Sequence, residues 1–226
     1  SGKSQANGRA RVRTVGTVEP LETRELMAAN FTLADILIAK DNISLAAISV
    51  RQGIEQLRID NLNQLAATTT DAQNQTAAIA ADYQSWRAAE IASRAARDHA
   101  GIAFARQQQA IDLQIGAHVR NWLRQANASS QIVQNQLLKD AANANRVASQ
   151  AYNALSRHAN PVFVQNQAFN ALNRAGAIAQ QHANAGTNTL AVLDAKILGA
   201  FNPTPLPIDG GMGGGPLDNT GFNTFG

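Results

Sequence analysis

DYQSWRAAEIASRAARDHA, residues 82–100, has the composition of a long helix and almost nothing for such a helix to bury. Ala stands where a core helix would carry Leu. Around Ile91 and Ile102 the apolar stripe is carried only by Ala88, Ala92, Ala95, Ala96, Ala100 and Ala103. Small side chains let helix backbones approach closely, the device used between helices in membranes. The stretch therefore predicts a thin, Ala-lined seam on a helix that needs neighbours.

The rest of the chain extends this reading. Pro20 is followed by no proline until Pro161, and then by Pro203. A proline inside a helix costs about 3 kcal/mol or more, so the Pro-free span permits very long helices. Only Gly53, Gly101 and Gly116 interrupt it, each at about 1 kcal/mol in a helix. The expected breaks are instead ATTTDAQN (Ala67 to Asn74) and QANASSQ (Gln125 to Gln131), because Thr, Ser and Asn favour caps and turns. Asp71 and Ser129 or Ser130 are the expected N-caps. RHANPVFVQNQAF should end a helix, since the residue before a proline is pushed out of the α region. A last helix is expected over about Val162 to Leu198, with Gly199 as its C-cap.

Spacings of three and four mark the helical stripes. The first runs through Leu33, Ile36, Leu37, Ile43, Ala47, Val50, Ile54, Leu57, Leu62 and Leu65. The expected class is all-α, with long Ala/Gln-rich helices forming an elongated bundle. The expected layout is an extended basic arm over 1–20, a helical domain over 21–200 and a Pro/Gly-rich tail over 201–226. The arm carries Arg9, Arg11 and Arg13. It is read either as a solvated tail or as an arm on a neighbouring subunit or nucleic acid.

The 226 residues are 45% hydrophobic but only 5% aromatic, and about a fifth are Ala. Burial yields about 25 cal/mol per Å², so an Ala core stabilises little per residue and self-association is expected. The net charge of +3 is small for a dedicated nucleic-acid binder. There is no Cys, which excludes disulfides and thiolate metal sites. No segment reads as a conventional membrane span. The best candidate, Phe31 to Val50, contains Asp35, Lys40 and Asp41, each costly at a bilayer centre. Its Leu33, Ile36, Leu37, Ile43, Ala47 and Val50 are the candidate membrane or subunit contacts. Their charged neighbours would face a lumen or another subunit.

Chemistry is absent from the motifs. His99, His118, His158 and His182 stand too far apart to make a helical metal pair. There is no phosphate loop, nucleophile elbow or HExxH, and GGMGGG is not set between a strand and a helix. No catalytic, cofactor or metal residue is assigned, and no enzyme activity is expected. Arg87, Arg94 and Arg97 fall on one helical face, interleaved with Asp82, Glu90 and Asp98. They are candidates either for ion pairing or for a face toward DNA.

ANFTLADILIAKDNISLAAISVRQGIEQLRIDNLNQL, followed by AAIAADYQSWRAAEIASRAARDHAGIAFARQQQ, resembles the small internal virion (ejection) proteins of short-tailed, T7-like bacteriophages. The likeness is one of texture over about residues 25–198, with no motif from which a residue's role could be carried over. It implies a structural virion protein held inside the capsid near the portal. Such proteins leave ahead of the genome and oligomerise into a helical conduit through the host envelope. The implied partners are further copies of the chain, portal or other ejection proteins, the host membrane and, non-specifically, DNA. Two other readings stand beside it: a structural or adaptor protein of a virion or secretion machine that enters no membrane, and a helical partner-binding module.

Overall fold

A computed structural model describes residues 31–157 and 159–203. The arm over 1–20, the expected helix start at Leu21 and the tail beyond 203 lie outside the described residues. Within them the chain is all-α: three long helices packed together, without strands, in a bundle that is 92% helix. Helix α1 spans Leu33–Ala95, α2 His99–Ser156 and α3 Pro161–Leu198.

Thr32 caps α1. Its hydroxyl accepts from the Asp35 N–H (3.2 Å), while its own N–H (2.9 Å) and hydroxyl (2.8 Å) donate to Asp35 Oδ2. This is a capping box with Asp in place of Glu. These bonds hold the Asp35 carboxyl below its ordinary value.

The expected breaks at Ala67–Asn74 and Gln125–Gln131 do not exist; helix runs through both. The reason is local. Thr69, Thr70 and Thr76 donate their hydroxyls to the carbonyls of Leu65, Ala66 and Ala72, four residues back. A hydroxyl satisfied this way no longer competes for the backbone. Thr68 and Ser130 are buried, Ser130 bonded to Asn61 of α1, so tertiary packing overrides their propensity. Asp71 and Ser129 or Ser130 are therefore interior helical residues rather than caps.

The true break falls inside the stretch quoted at the outset, at Ala96–Asp98. The Asp98 N–H reaches the Ser93 carbonyl (2.9 Å) and the Arg97 N–H reaches Arg94 (3.1 Å). Arg97 has φ 57°. This is a Schellman end, with Arg in the left-handed position where Gly is usual. Asp98 then precedes the first residue of α2. A Cβ on Gly101 would meet the ends of the Asp98 and Ser93 side chains, which would have to shift. The α2–α3 junction follows expectation: Asn160 caps α3 through Phe163 N–H (3.2 Å), with Pro161 at the first helical position. Gly199 closes α3 on the Ala195 carbonyl (3.0 Å).

The described residues form two compact units, and each helix contributes to both. The first unit takes 31–57 and 136–181. Its core is Ile36, Ala39, Ile43 and Ala47 of α1, Ala144, Val147, Ala148, Ala151 and Leu155 of α2, and Val164, Ala168 and Leu172 of α3. Half of these are Ala, so the small-residue packing exists, but here. The predicted seam at Ala88, Ala92, Ala95, Ala96, Ala100 and Ala103 is exposed throughout. It flanks the α1–α2 turn, where no third helix among the described residues covers it.

The second unit takes 58–135 and 182–203. Ala72, Ile79, Val119 and Ile197 make one core cluster; Ala126, Leu190 and Leu193 make another. Near the turn Trp86 is buried edge-on to Phe104 (5.5 Å), and its indole N–H donates to Asp82 (3.0 Å).

Candidate functional site

The six candidate contacts of the first stripe divide. Ile36, Ile43 and Ala47 face the core of the first unit, and Val50 is half-buried against it. Leu33 and Leu37 are exposed. They belong to a different face of α1, which sequence spacing alone merged with the first. Leu33, Leu37, Asp41 and Leu45 follow at steps of four, flanked by Ile38 and Ile48. The five apolar members are 44–72% exposed. A helix with apolar residues on two opposite sides is normally covered on both. In the described residues only one side is. Lys40 Nζ lies 3.5 Å from Ser156 Oγ of α2.

The three arginine candidates also separate. Arg94 pairs with Glu90 one turn back (2.6 Å), and Arg106 Nε of α2 reaches the same carboxylate oxygen (2.7 Å). Gln109 donates to the other oxygen (3.1 Å). With Arg106 the largest cause, then Arg94 and Gln109, the Glu90 carboxyl is pulled down to about 2. This cluster joins α1 to α2 beside the turn. Arg87 is exposed. Arg97 sits beyond the end of α1 at positive φ, so it does not share the face of Arg87 and Arg94 as its spacing implied.

Two polar groups that sequence reasoning missed lie inside the second unit. Asn61 of α1 is 2% exposed. Its Oδ1 accepts from Ser130 Oγ (2.7 Å) and Gln134 Nε2 (3.1 Å) of α2. Gln134 Nε2 also donates to the Arg58 carbonyl (3.0 Å), and Arg58 Nε returns a bond to Gln134 Oε1 (3.1 Å). The Asn61 amide nitrogen has no partner among the described residues, and it lies 3.3 Å from where a Cβ on Gly186 of α3 would stand.

The second group is Asp112 of α2. It is 3% exposed, and its Oδ2 is buried with no hydrogen-bond partner among the described residues. Burial, then the nearby Asp82, pushes its pKa up to about 6. It lines a cleft of about 180 Å³ between α1 and α2, with Thr76, Tyr83, Gln84, Gly116 and Arg120. That is smaller than the ~300–1,000 Å³ of small-molecule sites. The signal for both groups was available as a repeat of seven. Ala105, Asp112, Val119, Ala126 and Val133 are all buried at that interval, as are Ile54, Asn61 and Thr68. A polar residue in such a series occupies a core position.

Among the described residues no group of three or more His, Asp or Glu could hold a metal ion, and no helix is long and apolar enough to cross a membrane. The arrangement binds helices to helices: a carboxylate between two arginines, a buried amide layer and an uncovered apolar face. No family model matches the chain, and no curated protein or solved structure matches it significantly.

Proposed function

We propose that the chain is a structural protein that works by assembling with further copies of itself, in the role of an internal virion protein of short-tailed phages. The observation that carries the assembly reading is the second apolar face of α1: Leu33, Leu37, Ile38, Leu45 and Ile48, all exposed on the side away from the core. Large exposed apolar patches on a folded chain mark interaction sites. Asp41 stands in the middle of this face. A charge there is costly against lipid and easily matched by another protein, so the face fits a second copy better than a bilayer.

Sedimentation of the whole chain tests this. The parent is expected to associate at micromolar concentration, and the Leu37→Arg, Leu45→Arg double variant to sediment as a monomer with unchanged helix content. A monomeric parent would sink the proposal. The conduit role in the host envelope is the later step of the same reading and has its own assay, dye leakage from liposomes. Ile43 is unsuited to that assay because it is fully buried in the first unit; Leu33 and Leu37 are the positions to change. If the parent leaks no dye at any concentration, the non-membrane structural role remains. The phage assignment itself rests on sequence texture and is tested by whether purified virions contain the chain.

A further inference from the structure

Asp112 is only 3% exposed, and its Oδ2 is buried without a hydrogen-bond partner among the described residues. Burying a charge unpaired is expensive, and native structures avoid it unless something completes the site. The walls around it are specific. Tyr83 and Gln84 come from α1 and Gly116 from α2, with Ile79 and Leu113 as apolar lining. Asp82, one turn before Trp86, adds a second negative charge from α1, its Oδ2 bonded to the Trp86 indole. Among the described residues that line the cleft, the one cation is Arg120. Its Nη1 lies 3.4 Å from where a Cβ on Gly116 would stand, so the guanidinium rests over Gly116 without bonding Asp112.

We propose that this cleft is a socket for one guanidinium group presented by another polypeptide. The chemistry is that of a planar cation donating to a shielded carboxylate, the arrangement in which Arg outperforms Lys. The cleft volume holds a side-chain head group rather than a cofactor. Apolar walls exclude water from the pair, which strengthens it. The site is on the second unit and does not depend on the apolar face of α1.

The test is a carbon-detected titration of the Asp112 carboxyl in the whole chain, with and without agmatine, an alkyl guanidinium, at concentrations on the order of millimolar. Agmatine is expected to lower the Asp112 midpoint from about 6 toward the ordinary carboxylate range and to shift the Tyr83 and Gly116 signals. Asp112→Asn should abolish those shifts with helix content retained; should that variant not fold, the parent titration decides alone. A raised midpoint that does not respond to agmatine, or the same shifts in Asp112→Asn, overturns the proposal. Dilution separates the sources. A midpoint that is low without agmatine and rises on dilution assigns the guanidinium to a second copy. A raised midpoint that ignores dilution and falls with agmatine assigns it to a different protein. A midpoint low at every dilution, rising only in Arg120→Ala, means the chain covers its own carboxylate, and the proposal fails.

Discussion

Arg97 holds the left-handed conformation that closes α1, at φ 57°. For a residue with a Cβ this costs roughly 1–2 kcal/mol, which Gly avoids at some expense in chain entropy. Arg97→Gly should therefore stabilise the chain by about 0.5–1 kcal/mol, read as a higher midpoint in urea. Asp112 makes a pH-dependent contribution of the opposite kind. Its pKa lies near 6 in the folded state against 3.8 ordinarily. Between those values the folded chain holds a proton that the unfolded chain has released, so stability falls as pH rises through that window. The deficit is complete above pH 6, at about 1–3 kcal/mol. Asp112→Asn should raise stability at pH 7 and flatten the profile between pH 4 and 6. Glu90 has the opposite sign: its pKa is depressed from 4.5 to about 2, so its contribution is present in full above pH 4.5 and is lost progressively as pH falls from there to about 2.

At the scale of elements, two glycines inside helices give opposite signs. Gly53 of α1 has open space where a Cβ would stand, so Gly53→Ala should gain about 1 kcal/mol of helix propensity. Gly186 of α3 would put its Cβ 2.6 Å from Val133 Cγ2. Val133 is buried and β-branched, with one strongly preferred rotamer in a helix. Gly186→Ala should therefore lose about 1–2 kcal/mol net, overpacking outweighing propensity. Thermal melts of the two variants against the parent check both signs. The elements themselves were partly legible. The Pro-free span announced long helices, and Asn160–Pro161 and Gly199 marked two ends correctly, because those signals act through the backbone alone. The Thr and Ser runs misled because their hydroxyls found partners four residues back or on another helix. The Arg97 turn was hidden because its defining conformation is held by a residue whose side chain does not advertise it. The core stripe of Ile36, Ile43 and Ala47 was visible at its spacing. That Leu33 and Leu37 lie on a second face was not, since both faces of that segment are apolar.

For the whole molecule, the small cores set the character of its stability. Half of the first unit's core cluster is Ala, and each Ala removes little apolar area from water. If copies cover the second face of α1, folding and assembly are linked, and the melting temperature should rise with protein concentration. It should become independent of concentration in the Leu37→Arg, Leu45→Arg variant. Calorimetry over a hundredfold dilution reads this directly, and a flat response in the parent would count against coupled assembly. Helices faced with Ala have a further property. Their surfaces carry low ridges, so one helix can slide along another by a turn, about 5.4 Å, and meet a contact nearly as good. The Asn61, Ser130 and Gln134 layer of the second unit removes that freedom. Its bonds close at a single register, and a slip of one turn would part the Asn61 amide from the Ser130 hydroxyl. The layer is a detent: it contributes less to how tightly the helices hold than to where along their length they stop.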